Sequence, residues 1–110
     1  MGHLLSSAIK MQDVVLPPPT LEINNNGGIF VSWERNGISQ GSVPVGLTVT
    51  LSYGDTIKVI ASNPLDLGAI IEYYLNSAYV TTYSDTTIAE TPTISTFAGG
   101  EFKFDCYSGS

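Results

Sequence analysis

The residues able to do chemistry are few and scattered. Acid–base catalysis needs two titratable groups positioned in one cleft. Asp55, Asp66, Glu72, Asp85 and Glu90 are the candidates, and nothing in their spacing sets any two together. Turns favour Asp and strand faces tolerate Glu, so ordinary structural roles account for all five. A serine hydrolase would have to recruit the single histidine, His3, from the far N-terminus, and the chain has no G-x-S-x-G elbow. One histidine and one cysteine are too few for a transition-metal site. The loop acids Asp55, Asp66 and Asp85 could contribute to a calcium site, but no D-x-D-x-D-G loop is present. Cys106 lacks a neighbouring cation or histidine, and reads as a small buried hydrophobe near the end of the last strand. Neither catalysis nor a cofactor is expected.

Binding chemistry is better represented. Tyr73 and Tyr74 are adjacent, so in a strand one faces inward and the other outward. Period-two alternation puts Tyr79 and Tyr83 on one face with Thr81. An exposed face carrying Tyr74, Tyr79 and Tyr83 would stack on sugar rings or anchor a protein contact. The alternative is ordinary cross-strand aromatic pairing. Gly2 with Ser6 matches a myristoylation pattern that is short and meaningful only in a eukaryotic host.

The elements that must carry these residues are strands. From Thr20 onward apolar side chains alternate: Leu21 and Ile23; Ile29, Val31 and Trp33; Val45, Leu47, Val49 and Leu51; Ile57, Val59 and Ala61; Phe102, Phe104 and Cys106. Asn24–Gly28, Asn36-Gly37, Tyr53–Asp55, Asn63-Pro64, Asn76-Ser77 and Gly99-Gly100 are turn signals between them. The Ile70–Leu75 run is apolar on both faces apart from Glu72, as a central strand would be. This spacing predicts an all-β sandwich of about seven to nine antiparallel strands, with a barrel as its rival.

Ahead of the sandwich, Pro17-Pro18-Pro19 forms a stiff spacer. The chain therefore divides into an N-terminal arm and linker, 1–19, and a domain, 20–110. The arm carries Leu4, Leu5, Ile9, Met11, Val14 and Val15, which have no evident place in the sandwich. They could close a sheet edge of their own domain or dock on a neighbouring subunit.

Composition narrows the partners. The net charge is −6, and Lys10, Arg35, Lys58 and Lys103 are the only Lys and Arg residues, dispersed along the chain. Nucleic acid and anionic membranes both demand clustered cations, so neither is expected. Only 13% of residues are charged, against about 25% in an average soluble protein, which suits a surface covered by other subunits. The opening MGHLLSSAIKMQDVV has neither a basic start nor a continuous apolar core. That leaves a protein released inside the cell that makes it, or an excised domain.

The stretch LPPPTLEINNNGGIFVSWERNG resembles the opening of a fibronectin type III or related immunoglobulin-like domain, in which Trp33 would be the core tryptophan of the second strand. NGISQGSVPVGLTVTLSYGDTIKVIAS is similar to the hairpins of immunoglobulin-like modules in tailed-phage virion proteins and bacterial surface proteins. The Cys…Trp…Cys arrangement of antibody domains is absent, as is the Y-x-V-x-V-x-A pattern of fibronectin type III. The resemblance implies an immunoglobulin-like antiparallel β-sandwich with an extended N-terminal arm. It further implies a virion protein, a capsid decoration or head-fibre-base subunit, docked on major capsid or other virion subunits through its arm and a sheet edge. Homo-oligomers are one form such docking takes. The alternative implied by the same modules is a carbohydrate-binding or adhesin module, extracellular or at a cell surface.

Overall fold

A computed structural model describes residues 16–110. The described chain is all-β, with ten strands in two sheets and no helix. The strands are β1 (Thr20–Asn25), β2 (Phe30–Arg35), β3 (Ile38–Ser42), β4 (Gly46–Thr50), β5 (Thr56–Ser62), β6 (Ala69–Leu75), β7 (Ala78–Asp85), β8 (Ile88–Glu90), β9 (Ile94–Ser95) and β10 (Glu101–Ser108). One sheet has the order β4-β1-β10-β6-β7, and the other β3-β2-β5-β8, with β9 also pairing β5.

Alternation places the core as expected. Leu21, Ile23, Ile71, Phe104 and Cys106 from the first sheet face Val31, Trp33, Ile57, Val59 and Ala61 from the second, and all are buried. Trp33 lies in the core on β2. Burial pushes the Cys106 thiol up to about 12, which keeps it protonated and inert. Asn36 and Gly37 both have positive φ (54° and 77°), as a type I′ hairpin turn between β2 and β3 requires. β6 is flanked by β10 and β7, in the interior position its apolar run indicated.

Three details differ from the sequence reading. The strand count is ten because β3 (ISQGS) and β8 (IAE) have no extended apolar alternation to mark them. The sandwich is not wholly antiparallel, since β1 and β10 pair in parallel from Thr20↔Glu101 to Asn25↔Cys106. The first and last strands thus become neighbours, and their period-two pattern is the same for either direction. Of the Val45–Leu51 alternation, the cleanest in the sequence, only Gly46–Thr50 is strand, at the edge of its sheet, with Val45 exposed outside it and Leu47 and Val49 only half-buried.

Buried polar groups are all engaged. Thr91, where β8 gives way to β9, accepts the Val59 N–H on its hydroxyl (3.1 Å) and donates to the Pro92 carbonyl (2.8 Å). Asn63 donates to the Gly68 carbonyl and the Ser108 hydroxyl. No buried side-chain N or O among the described residues lacks a hydrogen-bond partner, which removes a large potential penalty.

Candidate functional site

The acids do not form a reactive pair. Asp55, 8% exposed, is the most enclosed, and its oxygens are taken. Oδ2 accepts from Arg35 Nε (2.9 Å) and the Ser52 N–H (2.9 Å) and lies 2.8 Å from Arg35 Nη2; Oδ1 accepts from Asn36 Nδ2 (2.9 Å). Asp66 accepts the Thr87 hydroxyl, Asp85 the Thr86 N–H, and Glu90 pairs with Lys58 at 3.4 Å. No three His, Cys, Asp or Glu side chains converge as metal ligands among the described residues. Gly2, His3, Ser6 and the arm residues Leu4, Leu5, Ile9, Met11, Val14 and Val15 lie outside the described residues.

Glu72 belongs to a different arrangement, on the outer face of the first sheet. It accepts the Tyr107 hydroxyl on Oε2 (2.9 Å) and the Tyr74 hydroxyl on Oε1 (3.2 Å). The bond to Glu72 pushes the Tyr107 phenol up, and burial followed by the Glu72 charge does the same to Tyr74, so both remain protonated donors. Two strands from Glu72, on β1, Asn24 Nδ2 bridges Glu22 and Asp105, at 2.8 Å from each. Lys103 lies 4.9 Å over the Tyr74 ring and 3.8 Å from Asp105. Beside it runs a shallow groove bordered by Thr20, Glu22, Thr48, Tyr74 and Lys103. The Tyr107–Glu72 contact joins residues 35 apart and had no local signal.

The tyrosine face is only partly assembled. Tyr74 and Tyr79 meet edge to face at 5.8 Å, and Tyr79 is 58% exposed. Tyr83 is not with them, which corrects the expectation that it shares a face with Tyr79. A β-bulge inserts Val80, so Tyr74 pairs Tyr79 while Tyr73 pairs Thr81 and Ile71 pairs Tyr83. The extra residue reverses the alternation, and Tyr83 packs against the core. Tyr79→Ala should therefore change stability by less than about 0.5 kcal/mol, as exposed substitutions do. Tyr83→Ala should cost about 1–2 kcal/mol from lost apolar burial. Equal urea midpoints for the two variants would contradict the bulge.

The sheet edges are unequal. β3 carries a bulge opposite Ser32–Glu34, with Gly41 at φ 92°. β7 carries the Val80 bulge. β8 and β9 are three and two residues long, separated at Pro92. Bulges, prolines and short strands are how edges resist pairing with other chains. β4 pairs regularly with β1 over five residues, contains no proline or charged side chain, and has no partner on its other side among the described residues.

The N-terminal spacer is fixed to the domain. Pro19 is buried and its carbonyl accepts the Leu51 N–H (2.8 Å); the Pro17 carbonyl accepts the Tyr53 hydroxyl. Leu16 is exposed at the sandwich end next to the C-terminus of β4.

No family model matches the chain, and no curated protein matches it in sequence. Among solved structures it is similar to a mutant form of the major pilin from Streptococcus pyogenes, with a TM-score of 0.52 and 8% identity. The match covers 84% of this chain and 48% of the pilin, so the chain spans about half the pilin's length. At that identity the likeness is one of fold alone, a sandwich of two β-sheets.

Proposed function

We propose that this protein is a structural subunit that acts by protein–protein assembly, docking on neighbouring subunits through its N-terminal segment and an open sheet edge. A virion decoration or head-fibre-base subunit seated on capsid protein is the setting we favour. The observation that carries the reading is the proline strut. Anchored by Leu51 and Tyr53, it gives the apolar segment before it a defined point of departure from the sandwich. Burial of those apolar side chains on a partner would contribute at about 25 cal/mol per Å², offset by the ordering of the segment.

An experiment on the source material tests this. In fractionated lysates or particle preparations the full chain should travel with high-mass assemblies, and the Ile9→Asp/Met11→Asp variant should travel as free, folded protein. Identical distributions would take the segment out of the mechanism.

The second reading, an adhesin or carbohydrate-binding module at a cell surface, draws on the likeness of fold to a pilin and on the exposed ring of Tyr79. Lys103 already covers one face of Tyr74, so Tyr79 is the more available platform. Glycan-array binding that disappears in Tyr79→Ala would favour this reading.

A further inference from the structure

We infer that β4 is the acceptor edge and that the strand it accepts is residues 5–15 of a second copy, so that copies link arm to edge. The inference rests on the assembly reading above and identifies both halves of the contact. The β1–β4 ladder fixes which backbone groups are on offer. Leu51 N–H donates to Pro19 and Asn25 N–H donates to Val45, and Thr20↔Thr50 through Asn24↔Gly46 are direct partners. Antiparallel alternation then turns the N–H and C=O of Leu47 and Val49 toward β1, and those of Gly46, Thr48 and Thr50 away from it. These outward groups form a template for an added strand.

Three features point to the segment as occupant. Its fifteen residues would reach about 50 Å when extended, and β4 is about 17 Å long, so it can span to a neighbour and still pair. In extended form Leu5, Ile9, Met11 and Val15 share one face, with Ser7 and Asp13 among them. That face would continue the inner layer at Leu47 and Val49, which are half-buried because the layer stops there. Charge also favours the segment over a second β4. Residues 20–110 carry nine acids and three cations, whereas residues 1–15 carry Lys10 against Asp13. Pairing two β4 edges would bring two bodies of net charge −6 side by side, and pairing through the segment keeps them apart.

Two full-length variants separate the halves. Thr48→Pro removes an N–H that the β1–β4 ladder does not use, at an edge position where proline is tolerated. Ile9→Asp/Met11→Asp disables the segment. By sedimentation velocity the wild type should self-associate with rising concentration, and each variant alone should associate at least about tenfold more weakly. An equimolar mixture of the two variants should form a one-to-one dimer and stop there, with the intact segment of one on the intact edge of the other. Thr48→Pro that associates like wild type overturns the β4 assignment while leaving the segment's role standing. Ile9→Asp/Met11→Asp that associates like wild type removes the segment and the reading beneath it. A mixture that stays monomeric shows that segment and edge are not each other's partners. If Thr48→Pro fails to fold, amide exchange of Thr48 and Thr50 in the wild type decides. Protection that falls at least tenfold in Ile9→Asp/Met11→Asp supports the contact, and equal exchange overturns it. A wild type that stays monomeric throughout overturns the second copy as occupant.

Discussion

Truncating Phe104 to alanine should cost about 3–5 kcal/mol, a large part of the stability of a domain this size. Phe104 lies on β10, the middle strand of the first sheet, and is fully buried. It sits between Ile23 on β1 and Tyr73 on β6, and its ring stacks on Tyr73 at 4.8 Å with 13° between planes. The loss combines the transfer of a phenyl ring to water with a cavity that two ladder-bonded neighbours cannot collapse into. Phe104→Leu should cost less, because most of the volume stays. In urea the alanine variant should show a lower midpoint with an unchanged slope. A loss under about 1 kcal/mol would mean that the two sheets do not close over this position.

Position 104 was readable from sequence because Phe102, Phe104 and Cys106 alternate with Lys103 and Asp105, and a buried sheet face has that period. The same logic found Val31 and Trp33 on β2 and Val59 on β5. It found the Asn36-Gly37 turn because few residues tolerate positive φ at two successive positions. Direction was not readable: alternation in Leu21 and Ile23 is compatible with a parallel or an antiparallel neighbour, and Glu101 is eighty-one residues from its partner Thr20. The polar β3 was hidden for a related reason, since an edge strand exposed on both faces needs no apolar pattern.

The candidate surfaces were legible to different degrees. Tyr74 and Tyr79 flank a two-residue turn, so their meeting is local. The Val80 bulge is invisible to a period-two reading, and it alone moves Tyr83 to the other side of the sheet. The edge position of β4 left no mark in the apolar pattern of the sequence, because Leu47 and Val49 are as apolar as core residues. The available signal was the absence of any charge in GLTVT, a feature that matters only once the strand is known to be an edge.

The carboxylate of Asp55 was readable only as a turn residue, yet its removal should produce the second large effect. Its side chain ties the β4–β5 turn, through Ser52, to the end of β2 and the following turn, through Arg35 and Asn36. Its carbonyl accepts both the N–H and the hydroxyl of buried Thr96 (3.0 and 2.7 Å), adding the loop after β9. Asp55→Ala should therefore cost about 2–4 kcal/mol, since it strips several charge-assisted bonds and leaves Arg35 and Asn36 without their acceptor. The hydrogen bonds from Asn36 and then Ser52 hold the Asp55 carboxyl below its usual 3.8, with Arg35 adding to them and burial opposing. A carboxyl that is more acidic folded than unfolded stabilises the native state fully above the unfolded value. That stabilisation is lost as pH falls from about 3.8 toward the lower folded value. Asp55→Asn keeps the shape and cannot titrate. Between pH 7 and pH 3 the wild type should lose more stability in urea titrations than Asp55→Asn does, although the variant starts lower. Parallel pH profiles for the two proteins would show that Asp55 is not the carboxylate on which this end of the sandwich depends.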